Sequence, residues 1–346
     1  MASRITINEI ARRCGVSKGA VSYALNGRPG VSEETRARIL EVARELGWAP
    51  NWTARMLSGS RTEAFGLVLT RNPRVLGSEP FFMELISGIE SVLSERSYAL
   101  LLQVTADMEA ELDTYRKWNS ERRVDGVIIV DLRLGDPRIP LLHELDLPVL
   151  CIADPSMADG FPCVWTDDAS AMSDAVDYLV GQGHRRIARV GGLSDHGQVR
   201  IRGRAFQAAA EQAGIEYVIA GSDFSAEAGR AATRELVTAD DPPTAIVFDN
   251  DIMAVAGLAT CQELGVTVPD QVSLLAWDDS WLCQVTHPAL SAMSHDVMAY
   301  GAHAARRMFE VLEGTAAGSY LDSTPRLTER DSTGPAQSTG GPGLPG

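Results

Sequence analysis

The amino-acid sequence predicts an α/β protein with a small all-helical head and a larger body of two lobes, each built on parallel sheet. Three observations predict it. Short amphipathic segments with cap residues fill residues 1–49, and from Ala64 onward apolar runs alternate with helical stretches. The charge divides the same way: residues 1–60 carry nine basic and five acidic side chains, the remainder 22 and 41. A basic head can collect phosphates through counterion release, while an acidic body is repelled by a duplex. A chain of 346 residues, 45% of them apolar, is long enough for two or three packed domains.

The head reads as three helices. Thr6 with Glu9 has the spacing of a capping box, after which Ile7, Ile10, Ala11 and Cys14 share a face and Gly15 stops the helix. Ser17 caps a second helix that turns Val21, Ala24 and Leu25 inward and leaves Lys18, Gly19, Ser22 and Tyr23 outward. Ser32 caps a third, which buries Ile39, Val42, Ala43 and Leu46 and ends at Gly47. Two helices joined by Gly-Val-Ser, the second basic at its start, have the layout of a helix-turn-helix whose second helix enters the major groove. After Pro50, residues 51–58 have the length of about two helical turns, capped by Asn51 and ended by Gly59. A helix this short is marginal until it meets a partner.

The body shows buried strands near 65–70, 99–103, 126–130 and 149–153, with helices near 82–96, 107–122 and 138–145. A second series follows, with strands near 187–190, 245–248 and 272–276 and helices near 169–182, 200–213, 226–239 and 251–264. Two such lobes offer a cleft at their strand C-terminal ends. The five cysteines are scattered and form no CxxC, which predicts buried thiols rather than disulfides or zinc. Neither a long apolar run nor a secretory leader is evident, so a cytoplasmic protein without membrane contact is expected. No GxGxxG, P-loop or HExxH pattern occurs, and GGLSDHG (191–197) misses the spacing of a nucleophile elbow. The reading is therefore of a non-enzyme without cofactor or metal.

The stretch ITINEIARRCGVSKGAVSYALNGRPGVSEETRARILEVARELGWAPNWTARML resembles the DNA-binding head of the lac repressor family. The resemblance implies that Lys18 and Gly19 hold the first recognition-helix positions, Tyr23 a further contact, and Ser17, Ser22 and Asn26 backbone-phosphate positions; Thr6 joins this DNA-facing set. Gly19 lacks a side chain for a base contact, and Lys18 can donate either to guanine O6 or N7 or to a phosphate. The segment from Asn51 is similar to the family's hinge helix, with Leu57 as the wedge into the central minor-groove step, Ala54 permitting close approach and Arg55 reaching phosphate or a groove edge.

The body resembles the type I periplasmic sugar-binding fold that serves this family as effector domain. It carries Pro80-Phe81-Phe82, Asp125 to Ile128, Gly183 to Ile187, Asp249 to Ala254, Trp277-Asp278-Asp279 and Arg330 to Thr333 in order. The implied effector residues are Arg202, Asp278 and Asn250 as polar contacts, Phe81, Phe82, Trp165 and Trp277 as aromatic walls, and Asp154, one place beyond the usual family aspartate. The expected organisation is a DNA-binding domain over 1–49, a hinge helix and linker over 50–61, an effector-binding and dimerisation domain over 62–331, and a disordered tail over 332–346. The lobes are expected to comprise 62–161 with 290–320, and 162–289 with 321–331. The resemblance implies a homodimeric repressor on a palindromic double-stranded DNA operator, controlled by a small molecule, a sugar on family grounds, with a nucleobase or other metabolite as the alternative. A solute-binding protein without regulatory role is the rival that the basic head argues against.

Overall fold

Cap geometry delimits the helices of the head: α1 (Ile7–Cys14), α2 (Lys18–Leu25) and α3 (Glu33–Glu45). A computed structural model of the chain describes residues 5–25, 29–48, 61–71, 79–316 and 318–337, and the chain divides into two units, 1–62 and 63–346. Ser17 Oγ accepts from the Ala20 amide at 3.1 Å, Ser32 Oγ from the Thr35 amide at 3.3 Å, and Gly15 closes α1 in the left-handed region. Thr6 occupies the N-cap of α1 but makes no side-chain bond there, so the expected box with Glu9 is not formed. The Glu9 carboxylate turns instead to Arg12 at 2.5 Å, a charge-assisted contact stronger than one to a neutral amide. Ile10, Ala11, Cys14, Val21, Ala24, Ile39 and Ala43 form the core of the head.

In the body, the first sheet has the order β11-β5-β4-β3-β1-β2, all parallel: β1 (Ala64–Thr70), β2 (Ala99–Thr105), β3 (Gly126–Ile129), β4 (Val149–Ile152), β5 (Cys163–Thr166) and β11 (Ser319–Ser323). The second has the order β12-β10-β9-β8-β6-β7: β6 (Arg186–Gly191), β7 (Glu216–Gly221), β8 (Ala245–Phe248), β9 (Ser273–Trp277), β10 (Ser291–Ser294) and the antiparallel β12 (Arg326–Thr328). Helices α4 (Pro80–Glu95), α5 (Met108–Ser120), α6 (Arg138–Glu144) and α12 (Val297–Glu313) flank the first sheet. Helices α7 (Asp168–Gly181), α8 (Gly197–Ala213), α9 (Ala226–Val237), α10 (Asp251–Leu264) and the short α11 (Trp281–Val285) accompany the second. Strand alternation supplies a core on each face. Phe65, Leu67 and Leu69 pack under α4 and α12, whereas Val68 and Val127 meet Tyr115 and Trp118 of α5.

Three expectations are corrected. The segment 99–103 is a strand, but an edge one rather than a buried one: Leu100 and Leu101 reach opposite cores while Leu102 is 41% exposed. Strand β5 belongs to the first sheet and β10 to the second, so the lobes exchange chain between 166 and 168, between 294 and 297 and between 323 and 326, rather than at 162 and 290. Both strands are short and lie next to a crossover, where ladder partners and not local sequence decide membership. The tail is ordered at its start: Ser332 is fully buried with its hydroxyl on Leu274 O at 2.6 Å, Gly334 N donates to Ser273 Oγ at 3.1 Å, and Ala336 N to Gln182 O at 2.9 Å. Backbone groups pinned by sheet and helix partners outweigh the Gly and Pro content there. Residues 338–346 lie outside the described ones. All five cysteines are buried and free, as the spacing predicts.

Candidate functional site

Strand C-termini place most of the polar side chains of a cleft between the two lobes of the body. Arg71 follows β1, Asp131 follows β3, Asp154 follows β4, Asp168 follows β5, Asp249 and Asn250 follow β8, Asp278 follows β9 and His295 follows β10. Parallel strands all end on one side, so both sheets deliver these residues to a shared space of about 1040 Å³, part of it open to solvent. The N-terminus of α4 adds Glu79, Phe81 and Phe82, and that of α8 adds Gln198. Asp131 and Asp278 take φ of 53° and 66°, a region that aspartate tolerates better than most residues. At the rim the lobes touch directly: Gly197 N donates to Leu132 O at 2.8 Å, Leu134 N to Asp195 O at 3.0 Å, and Gln198 Nε2 to Asp131 Oδ1 at 2.8 Å.

The arginines in and behind the cleft are already paired. Arg202 Nε donates to Asp168 Oδ2 at 2.7 Å and Nη1 to Asp249 O at 3.1 Å, while the guanidinium lies 4.0 Å from the Trp277 ring centre. Arg189, buried in β6, holds Asp249 through Nε at 2.9 Å and Nη2 at 2.5 Å. Arg71 contacts Asp131 at 2.7 Å and lies 3.7 Å from Glu79, between the rings of Phe82 and Phe224. Against this background, Arg71 Nε, Glu79 Oε2, Asp251 Oδ2, Asp278 Oδ1 and both ring nitrogens of His295 are buried without a hydrogen-bond partner. Burial pushes the Glu79 carboxyl up to about 7 and that of Asp278 up to about 8, with Arg71 and Arg202 respectively pulling the other way. Burial likewise raises Asp251 and lowers His295, which keeps the imidazole neutral. Unsatisfied buried polar groups are costly, and these stand open as hydrogen-bonding partners around the cleft.

Of the residues singled out from sequence, Phe81, Phe82, Asp154, Arg202, Asn250 and Asp278 line this space. Asn250 is largely committed to the protein: its Oδ1 caps α10 by accepting from Met253 N and its Nδ2 donates to Phe224 O. Asp154 caps a short turn through Ser156. Trp165 and Trp277 are not among the lining residues. Trp165 packs against the core beneath the first sheet, and Trp277, fully buried, supports Arg202 from behind. Strand alternation sends these indoles away from the cleft. Sequence reasoning missed Arg71, Glu79, Asp131, Asp168, Gln198, Phe224 and His295; their common signal is position just past a strand or at a helix start.

In the head, Thr6, Ser17, Lys18 and Gly19 are exposed, Tyr23 is 45% exposed and Ser22 is half-buried. The outward face of α2 thus presents the side chains expected to meet DNA. Asn26, Asn51, Ala54, Arg55 and Leu57, and with them the hinge, lie outside the described residues.

Residues 6–51 match the bacterial regulatory proteins of the lacI family, and residues 176–333 match the periplasmic binding protein-like domain. The HTH-type transcriptional regulator CelR of Thermobifida fusca is 30% identical over 321 residues, spanning 90% of this chain and 93% of its own length. The chain belongs to the lacI family of bacterial regulatory proteins. Two solved structures agree. A LacI family regulator from Bifidobacterium animalis subsp. lactis superposes with a TM-score of 0.75 at 35% identity, over 80% of this chain and all of that one. A CelR–cellobiose complex does so with a TM-score of 0.72 at 28% identity, over 95% of this chain and all of that one. As a lacI-family member the chain is a DNA-binding transcriptional regulator that answers to a small-molecule effector. The relatives are regulators rather than enzymes, and among the described residues no helix is long and apolar enough to cross a membrane.

Proposed function

We propose that this regulator is a homodimeric, cytoplasmic repressor that holds a palindromic operator through α2 of each protomer and binds a sugar between the lobes of its body. The observation that carries the effector reading is the set of buried carboxyl and imidazole atoms without partners around the cleft, a match for a ligand rich in hydroxyl groups. The cellobiose bound by CelR supports a sugar over other polar metabolites. Lys18, Ser17, Ser22, Tyr23, Asn26 and Thr6 serve the duplex, with Gly19 admitting close approach. Asn51, Ala54, Arg55 and Leu57 form the hinge, in which Leu57 kinks the central step. Effector binding alters the angle between the lobes, and operator affinity follows through the hinge. Boundaries at 1–49, 50–61 and 62–331 fit these roles. No catalytic step is proposed.

The test is selection of bound sequences from random duplex DNA by the full-length protein at a stated salt concentration, followed by a sugar panel that reads release or tightening. The expected result is an enriched palindrome whose affinity changes with a sugar. No enrichment with or without the panel overturns the reading.

A further inference from the structure

Behind the first-lobe side of the rim lies a buried ion cluster that does not line the cleft: Arg138 (3% exposed), Asp136 (5%) and Glu111 (1%). Arg138 uses its whole fork. Nε and Nη2 donate to the Asp136 carboxylate at 2.9 and 2.6 Å, Nη1 to Glu111 Oε1 at 2.8 Å and to Val130 O at 3.0 Å, and Nη2 also to Asp131 O at 3.0 Å. Asp136 in turn accepts from the amides of Arg133 and Arg138, both at 2.9 Å. Glu111 is tied within α5 to the Tyr115 hydroxyl and across to β1 by that of Thr70. The guanidinium therefore grips both ends of the loop 131–136, in which Asp131 and Gly135 take φ of 53° and 66°. A loop with two left-handed residues holds one shape only where its surroundings impose it.

That shape is what the second lobe meets. Each of the three hydrogen bonds at the rim has its first-lobe partner in residues 131–134: Asp131 Oδ1, Leu132 O and Leu134 N face Gln198, Gly197 and Asp195. Arg133 adds an ion contact with Asp195 at 3.4 Å and pairs with His196 as an isolated antiparallel bridge. We propose that Arg138, with Asp136, is a positioning residue for closure of the cleft: its own hydrogen bonds stay within the first lobe, yet it fixes the loop with which that lobe clasps residues 195–198. The consequence for the effector rests on the cleft being its site. A sugar held between the lobes is retained by the clasp, and a loosened loop lets it leave faster. A role confined to first-lobe stability predicts something different, because it leaves the protection of second-lobe amides as it was.

Hydrogen exchange on the full-length protein without any sugar tests it. Arg138→Lys keeps the charge that balances Glu111 and Asp136 but has no fork, and Asp136→Asn puts a donor where two amides and the guanidinium need an acceptor. The expected result in either variant is exchange at least about fivefold faster in second-lobe peptides covering 194–199, with peptides of β8 and β9 unchanged. Unchanged exchange over 194–199, or a rise there that β8 and β9 match, overturns the proposal; should Arg138→Lys not fold, Asp136→Asn decides. Glucose, galactose, ribose and cellobiose are then compared by calorimetry and stopped flow. A sugar that binds the wild-type protein is expected to dissociate at least about fivefold faster from Asp136→Asn, and an equal rate overturns the proposal. Failure of all four sugars to bind the wild-type protein counts against the sugar reading and leaves the exchange result decisive.

Discussion

Arg202 shows how one side chain is prepared for a ligand: Asp168 fixes its Nε, Asp249 O its Nη1, and the Trp277 face stacks beneath it. A lysine keeps the charge and loses the planar fork, so Arg202→Lys is expected to weaken effector binding by roughly tenfold or more while operator binding without effector is retained. Calorimetry and gel shift check this together. The same site shapes stability against pH. Glu79 and Asp278 keep protons in the folded state that the unfolded chain loses near pH 4 to 4.5, so their contribution to stability is largest below that range and declines as pH rises towards about 7 and about 8. Urea unfolding at several pH values is expected to show that Asp278→Asn flattens the decline between pH 5 and 8. Arg202 and Asp278 were legible in the sequence because they sit in recognisable motifs. Arg189 was not, since it lies inside an apolar strand and its partner Asp249 is sixty residues away.

At the scale of elements, two contacts are tight enough to be tested with a single methyl group or little more. Helices α4 and α12 cross at Gly88 and Gly301, where an added Cβ would lie 2.0 Å from Met298 O and 2.2 Å from Leu85 O. Gly88→Ala is expected to cost about 3 kcal/mol of body stability, within the range for overpacked cores, as read by urea unfolding. At the rim, a Cβ on Gly197 would meet Met157 at 2.9 Å and Leu132 O at 3.2 Å, across the boundary between lobes. Gly197→Val should therefore pry the rim contact apart, lower effector affinity and raise the radius of gyration of the ligand-free protein; unchanged scattering would count against this role for the rim. Most helices of the body stand within a few residues of their sequence-based bounds because their caps are local: Asp107, Asp167, Ser225 and Asn250 each accept from an amide at the start of their helix. Strands β5, β7, β10, β11 and β12 escaped the reading because they are short or partly exposed, and pairing with distant segments defines them.

For the whole molecule, the division of charge sets how it meets DNA. Binding is expected to fall linearly in log affinity with log salt, with a slope of roughly −0.9 per phosphate neutralised. Lys18→Ala decides between the two roles open to that side chain: a phosphate contact reduces the slope by about 1 with no change in preferred sequence, whereas a guanine contact relaxes one base pair. The sequence by itself determined the helical head, the serine caps of its second and third helices, the two alternating βα series and the family, because these depend on local periodicity and on motifs read in order. Only the tertiary structure decided which strand ends meet, which arginines are already neutralised and which carboxyls are left to a ligand. Those are properties of side chains far apart in the chain, brought together when both parallel sheets direct their C-terminal ends at one cleft.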